Sequence, residues 1–353
     1  MKKSRFSINS IVISIVCACM LMINPAANAC SRALYVGDDG LIVTGRAQDW
    51  YEELQTDLWV FPRGMERNGE VGPKSIAWTS KYGSLSASLY GMAVGEGVNE
   101  KGLGVYLLYL AESDYGNTTD RPRLSMGAWA QYILDNYATV AEAVKDLEKD
   151  NIQIIAPLAP SGHASTVHVA LSDPTGDSAI LEYIKGKLVI HHGKEFKTMT
   201  NSPTYDEQLA LNSYWKQIGG IVMLPGTNRA ADRFARADYY INALPKTSDS
   251  REAVASVMSV IRNISVPRGF KDPSIPNISS TIWRSVFDHK NKVYYYEGTY
   301  SPSVFWVTLG NLNFKKGAPV MKLELDDGKR ILSGDTADKF EKAKPFKFIT
   351  DQK

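Results

Sequence analysis

A basic and then apolar leader that ends directly before a cysteine constrains this chain more than any other feature. Met1-Lys2-Lys3-Ser4-Arg5 is basic, residues 11–23 are apolar, and Ala27-Asn28-Ala29 offers the small residues a signal peptidase requires. That order is a secretory signal with an A-x-A cleavage site. The expected cut between Ala29 and Cys30 makes 1–29 a removed signal peptide and leaves 30–353, read as one domain, beginning with cysteine. Such a residue carries a thiol and a free α-amino group on one Cα, a nucleophile with a base attached. The chain has to fold around its own terminus.

The cysteine count agrees. Of three cysteines, Cys17 and Cys19 lie in the apolar run and leave with it, so Cys30 remains alone with no disulfide partner. A lone thiol in an oxidising compartment is a liability without a task. A lipoprotein signal also ends at cysteine, but it carries a large aliphatic residue three places earlier, where this chain has Ala27. A free Cys30 is therefore expected over a lipid anchor. The apolar run is too short to span a bilayer.

Three of the 40 basic side chains (Lys2, Lys3, Arg5) and none of the 38 acidic ones lie in the leader, so the exported chain is close to neutral. With no basic stripe and no aromatic RNA-binding motif, nucleic acid is not an expected partner. The length after cleavage supports a large core.

Strand patterns cover 31–36 and 41–46, flanking the turn Gly37-Asp38-Asp39-Gly40, then 57–61, 75–79, 86–90 and 104–110. Gly95-Glu96-Gly97 lacks the third glycine of a dinucleotide fingerprint and reads as a turn. Ser125 caps a helix to 136, and Thr139-Val140-Ala141-Glu142 is a capping box opening a helix to 150. Strands at 166–172, 178–184 and 187–191 precede helices at 205–214, 230–244 and 250–262. The proline-bearing loop 266–280 is placed to cover a site. Strands at 281–287, 292–297 and 304–309 follow, and the Lys-rich tail after Gly334 reads as peripheral. Blocks of strands and helices without strict βα alternation indicate an α+β fold of two antiparallel sheets with helices on their outer faces.

A terminal cysteine needs charge partners. Its amine has a reference pKa of about 7.7–8.0, suited to general base work. Across the first hairpin stands Arg46-Ala47-Gln48-Asp49-Trp50. Arg46 is placed to lower the thiol pKa and Asp49 to hold the α-ammonium by a charge-assisted hydrogen bond. The five histidines, His163, His168, His191, His192 and His289, show no metal-ligand spacing. His168 alternates with valines and reads as a packed strand residue. No G-x-S-x-G elbow and no phosphate-binding loop occurs.

With these residues in view, the chain resembles the choloylglycine hydrolases, N-terminal-nucleophile amidohydrolases that include penicillin V acylases and bile salt hydrolases. The matching segments are Cys30, Arg46-x-x-Asp49, Val98-Asn99-Glu100-Lys101-Gly102-Leu103, Thr200-Asn201-Ser202-Pro203-Thr204 and Leu224-Pro225-Gly226 with Asp232-Arg233-Phe234. The resemblance implies a four-layer αββα fold and no metal or organic cofactor. It implies Cys30 as nucleophile with its amine as base, Arg46 beside the thiol, and Asp49 on the amine. Asn201 and the Tyr109 backbone N–H would form the oxyanion hole, and Arg233 would support the charge network. Trp50 and Tyr109 resemble the aromatic pair of the Gram-negative penicillin V acylase branch, which implies a periplasmic enzyme. The expected substrate is a small N-acyl amide such as penicillin V, with N-acyl homoserine lactones a further candidate. A homotetramer also follows from the family, while the weak lipoprotein signal and the short apolar run lead us to expect no membrane attachment. The alternatives are a conjugated bile salt hydrolase, a binding protein lipid-anchored through Cys30, a secreted cysteine peptidase using a histidine base, and an inactive relative.

Overall fold

The computed structural model describes residues 30–118, 120–160, 162, 165–270, 279–301 and 303–350. The leader, His163 and the middle of the 266–280 loop lie outside them.

Two sheets form the centre. In the first, of seven strands among the described residues, β1 (Ser31–Val36) lies between Thr198–Met199 and β2 (Ile42–Trp50); Ser280–Asp288, Val293–Gly298 and Phe305–Thr308 follow. The second, of nine, has Val167–Ser172, Gly104–Tyr109, Ala93–Asn99 and Ser84–Leu89 at its middle. Large pairings within both are antiparallel. An antiparallel sheet buries alternate residues on each face, and here both faces are covered. Between the sheets, Leu58, Val60, Leu85 and Val98 meet Trp283, Phe287, Tyr294 and Phe305. Outside the first sheet, helices Ala230–Ala243 and Ser250–Asn263 bury Ala237, Ile241, Val257 and Ile261 against Ala33, Val43 and Ala47. Outside the second, helices Met126–Asn136 and Val140–Leu147 bury Trp129, Ile133 and Leu147 against Val105, Val169 and Leu181. The layers run helix, sheet, sheet, helix: the αββα α+β fold expected from the sequence.

Three local readings are corrected. Gly95-Glu96-Gly97 is no turn but the middle of the buried strand Ala93–Asn99. A β-carbon at Gly97 would meet Leu134 Cδ1 of the covering helix at 2.6 Å, so glycine there permits close helix–sheet packing. Glu96 is completely buried and points to the first sheet. The second helix ends at Leu147; Thr139 Oγ1 accepts from Glu142 N, but the Glu142 carboxylate accepts from Ala138 N rather than closing a capping box. The tail is not peripheral either. Phe348 is buried in the helix–sheet core, and Phe346 packs on Trp59 and Phe61 at centroid distances of 5.2 and 5.9 Å.

Candidate active site

Register builds the site. Arg32 pairs with Arg46 on one side of β1 and with Met199 on the other. Continuing both antiparallel ladders two residues back sets Cys30 across from Gln48 and from Asn201. Period-two alternation then divides β2: Arg46 and Gln48 point between the sheets, whereas Ala47 packs toward the helices.

Cys30 is 1% exposed. Its N–H donates to Asn201 Oδ1, and its Sγ lies 3.5 Å from the Asp49 carbonyl oxygen and 3.5 Å from Gln48 Nε2, which donates to it. Burial holds the thiol above its ordinary pKa, while Arg46 and Arg233 pull it down. Arg46 makes no hydrogen bond to the sulfur. Its guanidinium donates to Gln48 Oε1, to Leu107 O at 2.6 Å, to Gly95 O at 2.9 Å and to Glu96 Oε2 at 3.1 Å. Glu96 also accepts from the Tyr294 hydroxyl, and Trp283 stacks on the guanidinium at 5.1 Å. Arg46 therefore reaches the thiol by its charge and by a hydrogen-bond relay through Gln48.

Arg233, fully buried on the helix Ala230–Ala243, donates to Cys30 O at 2.6 Å, Ser31 Oγ at 2.5 Å and Asn201 Oδ1 at 2.9 Å. Its Nη1 is 4.0 Å from Asp49 Oδ2. Asp49 Oδ1 accepts from Thr281 Oγ1 at 2.5 Å, while Oδ2 accepts no hydrogen bond. Burial raises the Asp49 pKa to about 6, against the downward pull of Arg233 and of the Thr281 hydrogen bond. Asn201 Nδ2 donates to Tyr109 O at 2.7 Å, which uses one of its two amide protons.

Trp50 and Tyr109 stand at the mouth with ring centroids 6.1 Å apart. With them, Cys30 and Gln48 line an apolar pocket walled by Leu54, Leu89, Met92, Leu107, Met126 and Ile349 among others. Tyr90, also in its wall, is held at φ 53, a left-handed position that costs a bulky residue backbone energy. Its hydroxyl accepts from Trp50 Nε1 at 2.7 Å and donates to Glu52 Oε1 at 2.5 Å, and its N–H donates to Leu54 O at 2.6 Å.

All seven residues singled out in the sequence thus gather around Cys30 or its pocket. Sequence reasoning missed Gln48, Glu96, Tyr90 and Ile349. Gln48 was readable from the hairpin, since it stands across from Cys30. No histidine ring bonds to Cys30 among the described residues. His168 Nε2 donates to Thr200 O at 2.7 Å and its Nδ1 lies 2.8 Å from Glu182 Oε1, so it steadies the residue before Asn201.

Comparison with known proteins decides the family. The model for "Linear amide C-N hydrolases, choloylglycine hydrolase family" matches residues 30–327. The chain belongs to this family. It is 45% identical over 373 residues to a penicillin V acylase of Pectobacterium atrosepticum, covering 99% of both chains. A bile salt hydrolase/transferase of Clostridium perfringens is 27% identical, over 73% of this chain and 85% of that protein. The solved penicillin V acylase of Agrobacterium tumefaciens superposes with a TM-score of 0.86 at 53% identity, covering 91% of this chain and 99% of the other. The protein is an enzyme, a hydrolase of linear amides with the N-terminal-nucleophile hydrolase fold.

The buried Arg46–Glu96 pair tests this geometry. Removing one partner strands a buried charge, so Glu96→Ala should lower unfolding free energy by about 3–5 kcal/mol in urea titration. A loss below about 1 kcal/mol would mean that Arg46 stands without its carboxylate.

Proposed function

We propose that the chain is exported, cut before Cys30, and works in the periplasm as an N-terminal cysteine amidohydrolase acting on penicillin V and on N-acyl homoserine lactones. The observation that carries this reading is the hydrogen bond from Cys30 N to Asn201 Oδ1 beside the orphaned oxygen of Asp49. A freed α-ammonium has three protons, and these two oxygens suit it. The family match beginning at residue 30 supports the same cut.

In this mechanism the Cys30 thiolate attacks the amide carbonyl carbon while its proton resides on the α-amine. The Tyr109 backbone N–H and the second amide proton of Asn201 hold the developing oxyanion. The α-ammonium gives its proton to the leaving nitrogen as the C–N bond breaks, leaving an acyl thioester. Water then attacks the thioester and passes a proton to the amine, which releases the acid and restores the thiol. Arg46 and Gln48 stabilise the thiolate, Asp49 and Arg233 orient the terminus, and Trp50 and Tyr109 hold the acyl group. An apolar pocket distinguishes weakly among apolar groups, so an aromatic or a fatty acyl chain fits.

The relative from Clostridium perfringens keeps bile salt hydrolysis as the second reading within the family. A homotetramer is the expected assembly. The exposed apolar residues Tyr214, Ile221 and Val222, the last two 91% and 79% exposed, supply a subunit contact whose stoichiometry light scattering reads.

Turnover of penicillin V and of an acyl homoserine lactone tests the proposal. Cys30→Ser should lower both by about a thousandfold or more with the fold retained; an unchanged rate would overturn it. Gln48→Met removes one hydrogen bond to a charged sulfur. Since one to two kcal/mol is roughly a tenfold effect, iodoacetamide should alkylate Cys30 about ten times more slowly at neutral pH. Equal rates in the two proteins would remove Gln48 from the mechanism.

Asp49 must be ionised to hold the ammonium. Its pKa near 6 is that of the site with Cys30 N in peptide linkage. Freeing the ammonium favours the carboxylate and moves that value down. The kcat/KM profile should therefore carry two acidic limbs, one set by loss of a proton from the Cys30 thiol–amine pair and a second, from Asp49, at or below about pH 6, so that activity falls more steeply below that pH. A profile that keeps a single-proton slope down to about pH 4 would contradict this role.

A further inference from the structure

The acyl pocket is completed by a segment that the family model does not reach. That match stops at residue 327, yet Ile349 lies in the pocket wall with Met92, Met126 and Cys30. The segment is firmly held. Ile349 N–H donates to Met92 O at 2.7 Å, and its carbonyl accepts from the Ser125 hydroxyl. Ser125 also caps the helix beginning at Met126, so one hydroxyl serves the helix start and the tail. Before Ile349, Phe348 is 5% exposed in the helix–sheet core, and Phe346 packs on Trp59 and Phe61. The surface beneath is shaped to match. A β-carbon at Gly127 would meet Ile349 Cγ2 at 2.8 Å and Met92 O at 2.9 Å, so the helix start takes glycine where the tail crosses.

We infer that residues 346–350 form a fixed strap whose Ile349 side chain sets the depth of the acyl pocket and so selects acyl length. The inference rests on the reading of Cys30 as nucleophile only in calling this pocket the acyl site. Two phenylalanine anchors just before Ile349 and the hydrogen bonds at its own N–H and carbonyl fix the strap, so its side chain is a wall of defined position. An apolar wall distinguishes chain lengths through steric exclusion at the far end, where an added methylene meets a branched side chain instead of open space.

The test uses a ladder of N-acyl amides from four to twelve carbons with one common amine, hydrolysed by the wild type, Ile349→Ala and Ile349→Trp. Ile349→Ala should raise the long-to-short ratio of kcat/KM by about tenfold, and Ile349→Trp should lower it by as much or more. Melting curves establish that each variant folds, and Gly127→Ala, which pushes on the strap from below, should change the ratio without touching residue 349. The free fatty acids of the same ladder are titrated calorimetrically into each protein, because product binding needs no turnover. Length profiles that coincide for folded variants, in turnover and in binding, would overturn the strap. A binding ladder that moves with residue 349 while no protein hydrolyses an amide would retain the strap and defeat the catalytic reading instead.

Discussion

Arg46 joins the two sheets behind Cys30. It rises from β2 in the first sheet, and three of its four hydrogen-bond acceptors, Gly95 O, Glu96 Oε2 and Leu107 O, belong to the second. A guanidinium in so dry a place is tolerable because its two terminal nitrogens find four acceptors, Nε alone lacking one, and its charge is balanced by Glu96. Trp283 covers one face of it. The fourth acceptor, Gln48 Oε1, turns this structural clamp toward chemistry, since the other end of the same amide meets Cys30 Sγ. One side chain thus links core geometry to the thiol, on which burial and Arg233 also act.

Cys30 is held with comparable redundancy. β1 has a partner strand on each side, and Cys30 continues both ladders beyond their last regular pair. Arg233 grips its carbonyl while Asn201 accepts from its nitrogen. The residue proposed to attack is thus fixed through its backbone. In the proposed mechanism, pre-organisation of this kind would let a buried thiol, whose pKa desolvation raises, serve as a nucleophile.

Much of this was legible in the chain. The hairpin joining β1 to β2 and the Arg46-x-x-Asp49 spacing bring Cys30 together with two of its neighbours by local rules. Asn201 and Arg233 lie far along the sequence and were reachable only through the family resemblance. Glu96 was missed because flanking glycines suggest a turn when read locally. In three dimensions, Gly97 marks where a helix presses on the strand, a tertiary fact that overrides propensity. The tail was missed because its lysines dominate the composition. The alternation Phe346-Lys347-Phe348 was the signal of a half-buried extended segment, and its apolar members are the anchors.

The central claim is that Cys30 becomes a free N-terminus and that its amine serves its own thiol. The direct measurement is the intact mass and N-terminal sequence of the exported protein, before and after iodoacetamide. The account predicts a chain starting at Cys30, with an unblocked amine and one carbamidomethyl group whose attachment ends amide turnover. A turning-over enzyme that retains Ala29, or whose Cys30 amine is acylated, would contradict it.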